Sequence, residues 1–186
     1  MHYSIHQVSP TKWELRAGDG TVVASFDDAL GRTGYDLACI ALSAEQVGAA
    51  RRALELTVAY TKVRVQFGQA IGGFQALQHR MADLHVQVES ARSLSYAVAS
   101  AAADAAPGLG LRAAAAKVYC SELALRVAGE MIQLHGAIGI TTEYPLHRFT
   151  TPAWSWREEY GSDRHWSATL AAGYPGDLWP ALASAD

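Results

Sequence analysis

The sequence has little charge, few cysteines and no long apolar run. Charged residues make up 18% of the 186 residues and hydrophobic residues 50%, so the chain lacks the low hydrophobicity and high charge of disordered proteins. It contains no run of about 18 apolar residues without charges, so no membrane-spanning helix is expected. The net charge of −3 gives no basic field for nucleic acid. The composition therefore indicates a globular domain.

Lysine is also scarce, because Lys12, Lys62 and Lys117 are the only lysines among 15 basic residues. The planar fork of arginine suits phosphate and carboxylate groups, so an anionic ligand would be met by locally placed arginines. The base composition of the genome could equally produce this bias, and both explanations stay open.

The two cysteines, Cys39 and Cys120, stand alone without a CxxC spacing. We expect both to be reduced and buried as small hydrophobic residues. The N-terminal residues 1–6 show no basic segment followed by an apolar one, so no secretory signal is expected. A cytoplasmic location is predicted by default.

The histidines show no metal-binding pattern, and no metal site is expected. His2 and His6 are four apart but lie in a β-like stretch, and His79 and His85 fall on different helix faces. No GxSxG, P-loop or GxGxxG element occurs, so nothing indicates a serine hydrolase, a nucleotide kinase or a Rossmann site.

The N-terminal residues 1–30 have the texture of a β appendage. Apolar and polar residues alternate from Tyr3 to Gln7, and the segments 12–16 and 21–25 flank an Asp-Gly pair. An Asp-Gly pair favours a tight turn, so we expect a short β-hairpin here.

Helical periodicity dominates the rest of the chain. A first helix is predicted from about Leu37 to Phe67, with Gly68 as its stop. Its apolar face comprises Leu37, Ile40, Ala44, Val47, Leu54 and Val58. The second helix carries an uninterrupted stripe of Phe74, Leu77, Met81, Leu84, Val88, Ala91, Ser95 and Val98. The third, from about 111 to 134, carries Ala114, Val118, Ser121, Leu125, Ala128 and Ile132.

These stripes need partner helices, and a shorter helix is predicted to end near Ala172. The sequence therefore predicts a mainly α fold, an antiparallel four-helix bundle with shallow crossing angles of about 20°. We place this bundle at residues 31–173 and a Gly/Pro-rich tail at 174–186.

One polar loop, from Arg64 to Gln75, could carry chemistry. It combines an arginine, glutamines, an aromatic residue and several glycines within one helix junction. A forked donor, amides and a flat apolar surface suit a phosphate joined to a heteroaromatic ring. A helix-capping loop with a solvated arginine is the alternative.

Two blocks of sequence resemble the C-terminal helical domain of flavin-dependent acyl-CoA dehydrogenases. The first, residues 46–83, contains the Arg-Val-Gln-Phe-Gly run that begins at Arg64, followed by Phe74-Gln75. The second, Gln133 to Gly139 followed by Thr142-Glu143-Tyr144-Pro145, resembles that family's glutamine-glycine motif. The resemblance covers about residues 36–172.

The resemblance implies a helical bundle that binds FAD at a subunit interface. The implied cofactor residues are Arg64 at the pyrophosphate of a neighbouring subunit's flavin, Gln66, Phe67 and Gln75 along the cofactor, and Gln133, Gly136 and Ala137 at its adenosine portion. Family members usually carry a glycine where this chain has Ala137, which would slightly restrict the turn.

The family's reaction uses a glutamate to remove an α-proton from an acyl thioester. An ungapped match places Tyr160 at the base position, and Glu159 takes this role after a shift of one residue. Other members carry the base early in the first helix, where this chain has Ala38 and Cys39. Glu159 is the candidate catalytic residue, and a glutamate on a helix surface is the alternative.

The family also has an N-terminal helical domain and a middle β domain, for which this sequence has no counterpart. The resemblance therefore implies an FAD-binding subunit or fragment of an acyl-CoA dehydrogenase that acts on an acyl thioester. It is expected to work as a homo- or hetero-oligomer with a chain that supplies those domains. The alternatives are a redox-inactive bundle that mediates oligomerisation and an enzyme of this fold with another reaction.

Overall fold

A computed structural model of the protein describes residues 3–173. Its N-terminal sheet is antiparallel, in the order β1 (Tyr3–Ser9), β2 (Lys12–Ala17) and β3 (Val22–Asp27). The predicted hairpin corresponds to β2 and β3, and β1 adds a third strand to it. The predicted tail at 174–186 lies outside the described residues.

The turn between β2 and β3 forms where the Asp-Gly pair predicted it. Gly20 has a φ of +86°, a conformation that costs glycine little. The backbone N–H of Thr21 donates a hydrogen bond of 2.9 Å to the Asp19 carboxylate. The local sequence therefore determines this turn.

Helix α1 spans Asp28–Val63, so the start predicted at Leu37 was wrong. The helix begins directly after β3 because the Asp27 carboxylate caps it, accepting a hydrogen bond of 2.9 Å from the Leu30 N–H. It ends at Val63 rather than at Phe67, since Arg64 adopts an extended conformation and starts a new turn.

The sheet packs on the first turns of α1 through Trp13. This side chain is 5% exposed, and its Nε1 donates a hydrogen bond of 3.0 Å to the Asp28 carboxylate. A side chain at Gly31 would collide with the Trp13 ring. The absence of a side chain at Gly31 therefore lets the sheet approach the helix.

Helices α2 (Gln75–Ala103) and α3 (Leu109–His135) form the other long elements. The stripe predicted on α2 is confirmed over most of its length, because its buried residues are Leu84, Val88, Ala91, Ser95 and Val98. On α3 the predicted stripe lies at the edge of the buried face. Ala114, Ser121 and Ala128 are buried, but Val118, Leu125 and Ile132 are only half-buried.

The fourth helix of the predicted bundle consists of three pieces, α4 (His147–Thr150), α5 (Pro152–Glu158) and α6 (Asp163–Gly173). A turn at Tyr160 and Gly161, with φ values of 56° and 97°, separates the last two. Helix α6 ends within one residue of the predicted position. Between residues 3 and 173, no helix has the length and hydrophobicity needed to cross a membrane.

The buried core runs along the contact of α1 with α2 and α3. Two of its clusters centre on Leu54, Leu84 and Met131 and on Cys39, Val98 and Trp166, and a smaller one joins Ala124 and Ala128 to Ala153. Cys39 and Cys120 are both free and buried, which confirms the expectation for the two thiols.

Candidate functional site

The Arg64 loop is a small hairpin at the C-terminal end of α1. Strands β4 (Val65–Gln66) and β5 (Gln69–Ala70) pair across a two-residue turn. Phe67 and Gly68 occupy this turn with φ values of 53° and 82°, as in the mirror-image turns that match strand twist. The Ile71 N–H closes the loop with a hydrogen bond of 2.8 Å to the Arg64 oxygen.

The tip of this hairpin exposes a phenylalanine in a costly conformation. Phe67 is 92% exposed, and a positive φ is rare for a bulky residue without a special reason. Its ring meets the edge of a neighbouring aromatic, Phe74, at a centroid distance of 6.2 Å. Val63, Val65 and Arg64 are also exposed. An exposed aromatic beside an arginine is a combination typical of binding interfaces.

The base of the hairpin is fixed to both neighbouring helices. A Cβ at Gly72 would lie 3.1 Å from the Thr61 backbone oxygen on α1. On α2, the Gln78 side-chain amide donates a hydrogen bond of 2.8 Å to the Gly72 oxygen. Gln75, the first residue of α2, is exposed beside this anchor. The hairpin therefore exposes Phe67 at its tip while its base is fixed to α1 and α2.

The second set of predicted cofactor residues lies where α3 ends. Gln133, Gly136 and Ala137 are all exposed, and Gly136 has a φ of 64°. A short 3₁₀ turn from Gly136 to Ile140 follows. Its preceding residue, His135, stacks on Tyr60 in the last turn of α1. The structure therefore brings the seven predicted cofactor residues to one end of the bundle.

Glu159, the predicted catalytic residue, lies at the other end. It follows α5 and is half-buried. The next residue, Tyr160, accepts hydrogen bonds at its backbone oxygen from Trp166 Nε1 at 2.8 Å and Cys39 Sγ at 3.7 Å. From Cys39 to Arg64, α1 runs for about 37 Å at ~1.5 Å per residue. Within one chain, Glu159 and Arg64 are therefore not brought together.

Lys117 is a buried residue at the Glu159 end whose role the sequence did not indicate. The side chain is fully buried, and its ammonium donates to the backbone oxygens of Trp156 at 2.6 Å and Arg157 at 3.1 Å. A third hydrogen bond of 3.1 Å reaches the Ser121 hydroxyl, which also bonds Gln46 on α1. Burial lowers the pKa of Lys117. The lysine thus holds the end of α5, directly before Glu159.

Asp36 is a second carboxylate at this end that the sequence analysis missed. It lines a cavity of about 260 Å³ together with Trp13, Tyr35 and Trp166. Burial raises the pKa of the half-buried Asp36 carboxyl, and the nearby Arg32 opposes this shift. A carboxylate with a raised pKa beside a cavity is a candidate proton acceptor. No motif in the sequence marked Asp36.

Comparison with known protein families shows which family this chain belongs to. The family model described as the C-terminal domain of acyl-CoA dehydrogenase matches residues 33–166. The chain belongs to the acyl-CoA dehydrogenase family. The matched range contains the Arg64 hairpin, the end of α3 and Glu159. Among residues 3–173, no cluster of three or more His, Cys, Asp or Glu side chains could hold a metal ion.

Individual relatives match over part of their length. Acyl-CoA dehydrogenase IpdE2 of Mycobacterium tuberculosis is 51% identical over 114 residues, which are 61% of this chain and 34% of the relative. The short-chain-specific acyl-CoA dehydrogenase of Megasphaera elsdenii is 38% identical over 109 residues, 59% of this chain and 28% of the relative. The chain thus spans about a third of the length of such acyl-CoA dehydrogenases.

Solved structures show the same fold. The butyryl-CoA dehydrogenase of Megasphaera elsdenii superposes with a TM-score of 0.74 at 28% identity, covering 86% of this chain and 42% of that one. The ChsE4-ChsE5 complex of Mycobacterium tuberculosis gives a TM-score of 0.76 at 26% identity, covering 84% and 44%. The acyl-CoA dehydrogenase bundle is therefore the fold of this chain.

Proposed function

We propose that this chain forms one side of the FAD site in a flavin-dependent acyl-CoA dehydrogenase. A partner chain of the same family completes the enzyme, which removes hydrogen from an acyl thioester and, as the sequence predicts, works in the cytoplasm. The observation that carries the proposal is the Arg64 hairpin, whose tip holds Phe67 in a costly conformation and almost fully exposed. Such a tip is explained if another molecule covers it.

The separation of the two ends supports a site shared between chains. Cys39, which contacts the residue after Glu159, and Arg64 lie about 37 Å apart along α1, at ~1.5 Å per residue, so Arg64 and Glu159 stand at opposite ends of the bundle within one chain. A cofactor that contacts Arg64 therefore takes the rest of its site from another polypeptide. The ChsE4-ChsE5 complex of Mycobacterium tuberculosis, which has this fold, supports a partnership between different chains.

The residues at the Arg64 end suit a dinucleotide. The exposed guanidinium of Arg64 can bind a phosphate through two parallel hydrogen bonds. Gly136, without a side chain and at the end of α3, leaves room for a ligand to approach the backbone. Phe67 offers a flat apolar face that can cover the cofactor from water. FAD, when bound, accepts the hydride that leaves the acyl group.

The test is flavin content after substitution of Arg64. The assembly is purified through a tag on this chain, and its flavin is measured by visible absorbance for the unchanged protein, Arg64→Ala and Arg64→Lys. We expect Arg64→Ala to lose most of the bound FAD and Arg64→Lys to keep part of it, since lysine retains the charge but not the fork. Arg112→Ala, at an exposed arginine on α3, is the matched control.

Two outcomes would contradict the proposal. An assembly that contains a partner chain but no flavin would show a redox-inactive interaction protein instead. Full retention of FAD by Arg64→Ala would show that this guanidinium does not face the cofactor.

For the proton acceptor we propose Glu159. Its half-buried position after α5 is held by the Lys117 hydrogen bonds, and a carboxylate there could take the α-proton of a thioester. We expect Glu159→Gln to abolish turnover in an assembly that keeps its FAD. Asp36→Asn is the matched comparison. Loss of turnover only in Asp36→Asn would assign the role to Asp36, and full turnover in both would move it to the partner chain.

A further inference from the structure

We propose that His135 is a positioning residue that sets the spacing between the two halves of the cofactor site. One half is the Arg64 hairpin on α1, and the other is the turn at Gly136 after α3. This inference rests on the proposed FAD site and adds a residue that does not itself face the cofactor, because His135 is only 5% exposed.

The imidazole packs against two tyrosines from different elements, and the three rings form one cluster, with the tyrosine centroids 5.9 Å apart. Its ring stacks on Tyr60 with a centroid distance of 4.2 Å and an interplanar angle of 22°. The Tyr144 ring lies 4.8 Å from it on the chain that follows the turn. Tyr60 belongs to the last turn of α1, so this stack joins the helix that carries Arg64 to the end of α3.

Hydrogen bonds reinforce the same connection. The Tyr60 hydroxyl donates to the His135 backbone oxygen at 3.5 Å, and the Tyr144 hydroxyl donates to the Leu56 oxygen on α1 at 3.4 Å. Tyr60, which belongs to α1, therefore contacts the end of α3, and Tyr144, which follows the turn, contacts α1. The distance between the two halves of the site is set by these three rings.

The imidazole is held in one state. Nδ1 lies 2.9 Å from the Met131 backbone oxygen and donates to it, whereas Nε2 is buried without a hydrogen-bond partner among the residues that the structure describes. Protonation would place a second N–H where no acceptor from these residues is available, which costs free energy. The ring thus acts as a neutral, flat spacer rather than as an ion.

The turn after α3 packs directly against the Cβ of His135 and the backbone of α3. A Cβ at Gly139 would lie 2.9 Å from the His135 Cβ and 3.0 Å from the Ile132 backbone oxygen. Such close packing leaves the 3₁₀ turn little freedom relative to His135. His135→Ala keeps this Cβ contact, so it removes only the ring that joins the turn to Tyr60 and Tyr144.

The experiment measures FAD affinity in the assembly purified through a tag on this chain, after removal and re-addition of FAD. We expect His135→Ala to weaken FAD binding on the order of tenfold, the effect of one misplaced charge-assisted contact. His135→Phe keeps a flat ring in contact with both tyrosines and is expected to restore most of the affinity. His147→Phe is the matched control, since its Nδ1 also lies near a backbone oxygen, that of Tyr144, at 2.8 Å.

Thermal unfolding of each assembly separates positioning from general loss of structure. The proposal requires weaker FAD binding in a variant whose melting temperature stays within about 3 °C of the unchanged assembly. If His135→Ala unfolds, Tyr60→Leu removes the other ring of the stack. Its FAD affinity and melting temperature are then compared with those of the unchanged assembly.

Two results would overturn this inference while leaving the FAD site intact. One is unchanged FAD affinity in both His135→Ala and Tyr60→Leu, and the other is a His135→Phe variant as weak as His135→Ala. By contrast, an unchanged assembly that never binds FAD would refute the proposed function itself, so the two failures are distinguishable.

Discussion

The Nζ atom of Lys117 lies 2.6 Å from the backbone oxygen of Trp156. The lysine is fully buried, and its three donors meet two backbone oxygens and the Ser121 hydroxyl. Burial of an ammonium without an acceptor is strongly unfavourable, so these oxygens are what make the position possible. The last carbonyls of a helix lack partners within that helix, and here the ammonium supplies one. The ion and the helix end therefore stabilise each other.

The first prediction concerns this lysine. Lys117→Met keeps the length of the side chain but removes the donor that meets two buried carbonyls. We expect it to lower the free energy of unfolding by about 2–4 kcal/mol, measured by urea denaturation. Lys62→Met, at an exposed lysine in the last turn of α1, should change it by less than about 0.5 kcal/mol. Equal effects of the two substitutions would contradict a structural role for the buried ammonium.

Lys117 also shows where prediction from the sequence ends. Helix α2 buries one face, so the spacing of its apolar residues was enough to predict Leu84, Val88 and Val98 as core residues. Helix α3 packs against α1, α2 and α6, and a helix covered on three sides has no single stripe. A lysine normally marks the surface. Lys117 can be buried only because the fold places the backbone oxygens at the end of α5 beside its ammonium group.

The second prediction separates folding from binding at the hairpin tip. Phe67 has a φ of 53°, a region that asparagine tolerates better than phenylalanine. Phe67→Asn is therefore expected to leave the free energy of unfolding unchanged or to raise it by up to about 1 kcal/mol. FAD content of the assembly should fall at the same time, because the exposed aromatic face is lost. A stable variant with full flavin content would show that the tip is not part of the binding surface.

The candidate cofactor residues were predictable to different degrees. Arg64, Phe67 and Gln75 lie within one short loop, so proximity in the sequence was enough to group them. That these residues lie at the same end of the bundle as Gly136 depends on the contact of Tyr60 with His135. Helix packing, which the sequence pattern does not specify, determines this contact. The reversal of the chain at Val65–Ala70 was also missed, since a positive φ at Phe67 is not expected from its residue type.

The third prediction is a pH dependence that arises from His135. Burial lowers the pKa of this imidazole below its ordinary value of 6.5, so the unfolded chain binds the proton more tightly. The free energy of unfolding should therefore fall as the pH drops below about 6.5, and level off below the folded-state pKa. Urea denaturation between about pH 7.5 and pH 5 measures this slope. His135→Phe should show a flatter slope, and an identical slope would assign the dependence to other groups.

The fourth prediction uses two glycines of α1 with opposite surroundings. Gly31 is buried against Trp13, and a methyl group there would collide with the indole ring. Gly48 lies in the same helix, and a methyl group there would meet no described atom within 4 Å outside its own helix turn. Since alanine favours helix over glycine, Gly48→Ala should raise the free energy of unfolding by about 0.5–1 kcal/mol.

Gly31→Ala gains the same helix preference but must displace Trp13 and the sheet it anchors. We expect a net loss of about 1–3 kcal/mol, the usual cost of overpacking. Tryptophan fluorescence, to which Trp13 contributes among five tryptophans, should change with Gly31→Ala and not with Gly48→Ala, because only the former moves the Trp13 ring. If both variants were stabilised with unchanged fluorescence, the sheet would not be packed on α1 through Gly31 and Trp13. Trp13 would then not line the cavity beside Tyr35 and Asp36.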